Sequence, residues 1–244
     1  MDLGVLGIVI SIVAILIGLF CWFFNPTTIK DKFKGHSVSL YVSNLKLRER
    51  YKVAIVDDEI SNYPIDYIKN LGFDVFEHEE ISFASAKELT KYDLLLLDVK
   101  GVVKEDLDEG GAKLIKIVKE TRPLMPVIAV SSGFFHAELN DYFRSSDAII
   151  NKPIDEFKIR QQLLELKQYF FDTPLIVSCL ESNIRHLEIS KSKKNTMHKY
   201  IISFLSEEQD DGSEMLGFIH QYAKSNSEDI INKINILQDR IKND

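Results

Sequence analysis

Short apolar runs alternate with amphipathic segments along residues 51–170, and this alternation constrains the fold more than any other feature of the chain. Most runs are apolar at consecutive positions, as in residues 94–97, which are all leucine. Such runs are typical of strands that helices cover on both faces of a parallel sheet. The pattern therefore predicts an α/β domain with a five-stranded parallel sheet. The predicted strands are residues 53–56, 73–76, 94–97, 126–130 and 148–150, and the predicted helices are residues 60–71, 85–92, 112–120, 134–143 and a last one ending near residue 170.

Polar side chains follow four of the five predicted strands. Asp57 and Asp58 come directly after the first strand, and Asp98 follows the third. Ser131 follows the fourth strand, and Lys152 comes shortly after the fifth. In an open parallel sheet, ligands bind at the carboxyl ends of the strands, near the point where the strand order reverses. We therefore expect these five side chains to lie together at one edge of the sheet.

The residue types at this edge indicate a particular chemistry. Three carboxylates in one place raise each other's pKa values unless a cation neutralises them. A cluster of carboxylates without histidine or cysteine suits a hard cation, so Mg²⁺ is the expected ion. A lysine and a hydroxyl opposite the ion can then contact phosphoryl oxygens. Together these groups predict phosphoryl transfer onto an aspartate.

The order of these motifs is similar to that of the receiver domains of bacterial two-component response regulators. The motifs are Asp57 and Asp58 followed by Glu59, the apolar run ending at Asp98, Ser131 after a strand, and the dipeptide at residues 152–153. The resemblance covers about residues 51–170, within a domain expected at 51–171, and it implies a flavodoxin-like fold. It also implies that Asp98 accepts a phosphoryl group from a histidine kinase or a phosphotransfer protein. The domain would then be a phosphoacceptor for signalling and not an enzyme that turns over a substrate.

The resemblance further implies a role for each site residue. Asp58 and Asp98 would ligate Mg²⁺ directly, Asp57 would act through water, and the backbone carbonyl of Lys100 would complete the protein ligands. Lys152 would hold one oxygen of the phosphoryl group, and the hydroxyl of Ser131 would bind another.

Two features depart from the receiver pattern. Residues 99–111 form a longer and more acidic loop than usual, and Ile149 stands where receivers carry an aromatic switch residue. The output mechanism therefore differs from one that uses an aromatic rotamer change. One alternative stays open, in which the domain is not phosphorylated and acts as a membrane scaffold or adaptor.

An uncharged apolar segment precedes this domain. Residues 3–24 contain no charged side chain, and 22 helical residues reach about 33 Å, enough to cross a bilayer. Residues 25–50 contain six basic and two acidic side chains, so the positive-inside rule places them in the cytoplasm. We therefore expect a transmembrane helix at 1–24, a basic linker at 25–50, and a protein of the bacterial inner membrane with its N-terminus outside.

Residues 172–244 have a helical pattern, with predicted breaks near 191–195 and 209–212. Ser225 and Glu228 have the spacing of a capping box, and the charged run at 191–194 is expected to be a linker. The net charge of −7 argues against a nucleic-acid partner. A stripe on the last helix could pack within its own module or form a homodimer seam. It comprises Ile230, Ile234, Leu237 and Ile241.

Overall fold

A five-stranded parallel sheet forms the centre of the first domain. The structure, a computed structural model, describes residues 37–131, 144–207 and 211–244. The sheet order is β2-β1-β3-β4-β5, which is the order of a flavodoxin-like doubly wound fold. The predicted fold class of this domain is therefore confirmed. The strands are β1 (Tyr51–Val56), β2 (Phe73–His78), β3 (Leu94–Asp98), β4 (Val127–Ser131) and β5 (Ala148–Asn151).

Helices cover the sheet and build a second, helical domain after it. Short 3₁₀ helices span Ile60–Asn62, Phe83–Lys91 and Lys224–Asn226, and a π-helical turn spans Lys167–Phe171. The α-helices are α1 (Val38–Asn44), α2 (Ile65–Asn70), α3 (Gly110–Thr121), α4 (Glu156–Leu166), α5 (Thr173–His186), α6 (Lys191–Leu205), α7 (Ser213–Ala223) and α8 (Ser227–Lys242).

The leucine run of β3 shows why this sequence forms a central strand. All four leucines are completely buried. Leu95 and Leu97 belong to the core that α3 covers, and Leu94 and Leu96 belong to the core that α2 and α4 cover. Because successive side chains of a strand point to opposite faces, a continuous apolar run fills both cores at once.

The helix predicted at residues 60–71 is not continuous. A 3₁₀ turn at Ile60–Asn62 is followed by Tyr63 in an extended conformation, and α2 begins only after Pro64. Proline lacks an amide N–H and disfavours helical geometry in the residue before it, so it separates the two pieces. The segment predicted as a short helix at 85–92 is a 3₁₀ helix, and the helix predicted at 134–143 lies outside the described residues.

The helical domain has an apolar core of its own. Ile230, Ile234 and Leu237 of α8 are completely buried among α5, α6 and α7, and Ile241 is partly buried at the same core. The α8 stripe therefore packs within its own module. Residues 191–194 are not a linker, since they form the first turn of α6, where the Ser190 hydroxyl accepts a hydrogen bond from the helix. The break predicted near 209–212 separates α6 from α7.

The predicted capping box at the start of α8 is wrong. Ser225 lies inside the 3₁₀ turn, and Asn226 occupies the N-cap position without a side-chain hydrogen bond to the helix. The chain enters α8 directly from that turn, so the extended cap geometry that a capping box needs does not occur.

Part of the segment expected to be a linker is folded. Helix α1 buries Val38 and Val42 in the core of the helical domain. At its start, the Glu181 carboxylate of α5 accepts hydrogen bonds from the Ser37 hydroxyl and the Ser39 amide. The predicted span at residues 3–24 lies outside the described residues. Within 37–131, 144–207 and 211–244, no helix combines the length and the apolar character that a bilayer crossing requires.

The helical domain meets the sheet at the amino ends of the strands. The Arg240 guanidinium of α8 lies over the ring of Tyr51, the first residue of β1, at 4.9 Å. At the end of α3, the Arg122 guanidinium binds both carboxylate oxygens of Asp239 in α8. The helical domain therefore lies at the edge opposite the carboxyl ends of the strands.

Candidate functional site

The carboxyl edge of the sheet brings together the acidic residues that the sequence singled out. Asp57 directly follows β1, and Asp98 is the last residue of β3. One carboxylate oxygen from each of Asp57, Asp58 and Asp98 lies within 4.8 Å of the others. Asp57 and Asp98 are buried, while Asp58 is exposed at the mouth of the site. The expected convergence of these three side chains is confirmed.

Lys152 reaches into this cluster from the end of β5. Its Nζ lies 2.6 Å from Oδ2 of Asp98 and 3.0 Å from Oδ1 of Asp57. A third carboxylate, that of Glu59, lies 3.4 Å from the same nitrogen. The side chain of Lys152 is 10% exposed, and its peptide bond to Pro153 is cis. One ammonium group therefore bridges the two buried aspartates.

Burial and charge shift the pKa values of this pair. Burial raises the pKa of Asp98, and the hydrogen bond and positive charge of Lys152 offset only part of that rise. Burial by itself lowers the pKa of Lys152, but its hydrogen bonds to Asp98 and Asp57 outweigh this effect, so the pKa is raised overall. Lys152 therefore stays protonated, and its charge favours ionisation of the Asp98 carboxyl, which burial disfavours.

The sequence patterns did not identify Tyr63 as a site residue and assigned no role to Glu59. The Tyr63 hydroxyl donates a 2.7 Å hydrogen bond to Oδ2 of Asp57, and burial raises the pKa of that hydroxyl. The Glu59 amide donates to Oδ1 of the same aspartate at 2.8 Å. These contacts fix the orientation of Asp57. The signal for Tyr63 was the following Pro64, because this proline ends the 3₁₀ turn and holds Tyr63 in its extended conformation.

The other expected site residues lie at the same edge. Ser131 ends β4, and its neighbour Val130 pairs with Asp98 in the sheet. The Lys100 amide lies 3.4 Å from Oδ1 of Asp98, and the role of its carbonyl as a metal ligand stays a prediction. Ile149 is 42% exposed on β5.

The donor set fits the expected ion. The three clustered groups are all carboxylates, which are the oxygen ligands that Mg²⁺ prefers. Lys152 supplies one positive charge against these three and the nearby Glu59, so the site keeps excess negative charge that a divalent cation would balance. Asp58 is exposed and so leaves room for the water molecules that Mg²⁺ usually retains.

Gly111, at the start of α3, allows that helix to approach Asp98. A Cβ at this position would lie 2.1 Å from the carbonyl oxygen of Asp98 and 2.8 Å from backbone atoms of Val99. These backbone atoms belong to Asp98 and its neighbour, so they cannot shift without moving the Asp98 side chain. The glycine is therefore required by close packing.

Gly111→Ala is expected to destabilise the protein by about 1–3 kcal/mol, the usual cost of overpacking a tight site. The matched control is Gly217→Ala in α7, where a Cβ would meet nothing within 4 Å. Alanine is the better helix former there, so this control is expected to leave stability unchanged or slightly raised. Urea unfolding followed by circular dichroism measures both. Equal effects of the two substitutions would contradict the packing argument.

A large cavity lies away from this cluster. Its volume is about 890 Å³, and its walls include Val42 of α1, Tyr51 at the amino end of β1, Phe171 and Val177 of α5. It lies between the two domains. None of the clustered carboxylates lines it, so it is separate from the site described above.

Comparison with known proteins gives matches only among solved structures. No protein-family model and no curated protein matches the chain. The signal receiver domain of a LuxO repressor protein from Vibrio parahaemolyticus is 19% identical, with a TM-score of 0.39, covering 48% of this chain and 91% of that one. A response regulator from Chloroflexus aurantiacus is 16% identical, with a TM-score of 0.38 and coverages of 48% and 97%.

A CheY-like response regulator receiver domain protein from Methanospirillum hungatei is also similar. It is 24% identical, with a TM-score of 0.38, and the match covers 49% of this chain and 98% of that one. All three TM-scores lie below 0.5, so the function of this chain has to be inferred from its own site geometry.

Proposed function

We propose that the first domain is a response-regulator-like phosphoacceptor and that Asp98 is the residue that accepts the phosphoryl group. The observation that carries this proposal is the contact of Lys152 with Asp98 at 2.6 Å, inside a cluster of three carboxylates. A carboxylate nucleophile, a fixed lysine and a site for a divalent cation together make up the machinery of aspartyl phosphorylation. The proposed donor is a histidine kinase or a phosphotransfer protein that carries phosphohistidine.

Phosphoryl transfer to Asp98 replaces a bond between nitrogen and phosphorus with a bond between oxygen and phosphorus. An oxygen of the Asp98 carboxylate attacks phosphorus, an O–P bond forms, and the N–P bond to the donor imidazole breaks, so that nitrogen keeps the electron pair. Asp98 must be ionised to attack, and the adjacent ammonium of Lys152 favours that state against the effect of burial. The same ammonium then balances negative charge on the phosphoryl oxygens.

The acidic residues have a separate task in this scheme. Asp57, Asp58 and Asp98 would hold Mg²⁺, with the Lys100 carbonyl as a further ligand and Asp57 acting through water. The ion supplies positive charge for the incoming phosphoryl group. Tyr63 keeps Asp57 in place through its 2.7 Å hydrogen bond, so this side of the site is already oriented in the described structure.

We extend the proposal to the rest of the chain. The uncharged segment at residues 3–24 and the basic residues after it support a single-pass protein of the inner membrane with the phosphoacceptor domain in the cytoplasm. The helical domain, which is bound to α3 through the Arg122–Asp239 pair, would transmit the change in charge at Asp98 to a partner protein.

Acetyl phosphate with Mg²⁺ tests the phosphoacceptor. The native full-length chain is expected to gain one phosphate in its intact mass, and the gain is expected to disappear in Asp98→Asn. Asp74→Asn is the matched control, because Asp74 is a half-exposed aspartate on β2 that pairs with a surface arginine at 2.8 Å. This control should be modified as fully as the native chain.

A known receiver serves as the positive control for labelling. If it is labelled and the native chain under the same conditions is not, the proposal is contradicted. That result would favour the alternative of a membrane scaffold that keeps the fold and recruits partners without phosphorylation. An Asp98→Asn chain that keeps the native labelling would also contradict it, since another residue would then carry the phosphate.

A further inference from the structure

The long acidic loop after Asp98 is held in one conformation by hydrogen bonds and buried side chains. Within residues 99–111, the Val102 carbonyl accepts a 2.8 Å hydrogen bond from the Ile81 amide. The Lys104 amide donates to the Ile81 carbonyl at 3.1 Å, so Val103 pairs with Ile81 as a parallel bridge. Val102 and Val103 are completely buried. This bridge and the burial of the two valines fix the first half of the loop.

The second half of the loop is fixed by Asp106. Its carboxylate accepts a hydrogen bond from the Glu109 amide at 3.0 Å and from the Lys113 ammonium at 2.5 Å. The Asp106 carbonyl also accepts from the Gly110 amide at the start of α3. The loop therefore has a defined shape on both sides of its tip.

Leu107 lies at this tip, next to the site. Its carbonyl accepts a 2.8 Å hydrogen bond from the Gly101 amide. Gly101 in turn touches Asp58, since a Cβ on this glycine would lie 3.0 Å from the Asp58 carboxylate. The Leu107 side chain is 58% exposed. A single exposed leucine is ordinary on a protein surface. The backbone of this leucine, however, is hydrogen-bonded to Gly101, which lies against Asp58.

Two exposed acidic residues, Glu105 and Asp108, lie close to Leu107 in the sequence. Lys113 balances Asp106 and also lies 3.4 Å from Glu109. Glu105 and Asp108 are exposed on either side of the leucine and have no ion pair within the described residues. An apolar side chain between two exposed carboxylates is complementary to an apolar socket flanked by lysine or arginine.

We propose that Glu105, Leu107 and Asp108 form a docking platform for the protein that donates the phosphoryl group. This inference rests on the proposed function, because it assigns a partner surface to the same site. A donor protein must bring its phosphohistidine to Asp98, and its surface must then cover the rim where Leu107 lies. The donor would carry an apolar socket with basic residues beside it. Contacts of this kind select one donor among many.

Two phosphoryl donors of different size separate docking from chemistry. Purified, autophosphorylated kinase domains of the source organism are assayed against the full-length native chain, and the domain that labels it fastest is the protein donor. Acetyl phosphate is the small donor, which needs no docking surface. The variants are Leu107→Ser and Asp108→Lys. The matched control is Leu40→Ser, a leucine of α1 that is 51% exposed and far from the loop in sequence.

With the protein donor, each loop variant is expected to slow transfer about tenfold, the effect of losing an interface anchor. With acetyl phosphate, the same variants are expected to keep the native rate, and Leu40→Ser is expected to keep it with both donors. Circular dichroism should show the native fold in all three, since the exchanged side chains are exposed.

Three results would overturn the platform and leave the proposed function standing. In the first, the loop variants react equally slowly with both donors. In the second, they keep the native rate with both donors. In the third, acetyl phosphate labels the native chain but no kinase domain transfers a phosphoryl group to it. Failure of both donors to label Asp98 has a different meaning, because it removes the proposed function and the platform with it.

Discussion

Lys152→Met is expected to slow phosphorylation of Asp98 by acetyl phosphate about a hundredfold, the usual cost of removing one fixed charge from a site of this kind. The reason is the position of the ammonium, 2.6 Å from Asp98 and 3.0 Å from Asp57. Without it, the phosphoryl oxygens lose the positive charge of Lys152, and the pKa of the Asp98 carboxyl rises further because burial is no longer offset by that charge. Methionine replaces the unbranched chain of lysine as far as Cε and lacks only the terminal nitrogen, so packing changes little.

The matched control for this substitution is Lys116→Met on α3, where the lysine is exposed and lies 3.9 Å from Glu120. This control should keep the native rate. The initial rate of mass gain, measured with Mg²⁺ in excess, compares the three proteins. A Lys152→Met chain that is labelled as fast as the control would show that this lysine has no part in the transfer.

Arg122→Leu is expected to lower the free energy of unfolding by about 3 kcal/mol, the cost of breaking a buried ion pair by removing one partner. Arg122 binds Asp239 through two nitrogens and also donates to the Tyr92 carbonyl at 2.6 Å. Its side chain is 10% exposed and that of Asp239 is 23% exposed, so water replaces these bonds poorly. Loss of the pair also weakens the attachment of α8 to the sheet domain.

The control keeps the same chemical change at a surface position. Arg50→Leu removes an arginine that is 54% exposed and pairs with the half-exposed Asp74, so its effect on stability is expected to be small. Urea unfolding of the full chain, followed by circular dichroism, gives both values. Similar losses in the two variants would mean that the Arg122–Asp239 pair does not hold the two domains together.

The sheet and most of its site could be predicted because both follow from local patterns. An apolar run buried on both faces identifies a parallel strand, and parallel strands gather their carboxyl ends at one edge. Asp57, Asp98 and Lys152 each stand at such an end, so their convergence follows once the strand order is known. This prediction needs no knowledge of contacts between side chains that are distant in the sequence.

The contacts between domains could not be predicted in this way. Arg122 and Asp239 are separated by 117 positions, and neither lies in a pattern that marks it as buried. The sequence predicts a linker where helix α1 lies, because basic residues surround it, although its Val38 and Val42 are buried in the helical core. In each case packing between distant segments decides the outcome, and a single sequence carries no local signal of it.

The residue that is proposed to accept the phosphoryl group can be located directly. After reaction with acetyl phosphate, sodium borohydride reduces an aspartyl phosphate to homoserine, and mass spectrometry of peptides locates the reduced position. The geometry around Lys152 predicts homoserine at position 98 alone, with aspartate kept at positions 57 and 58. Homoserine at another position, or at none in a chain that has gained phosphate, would contradict the assignment of Asp98 as the phosphoacceptor.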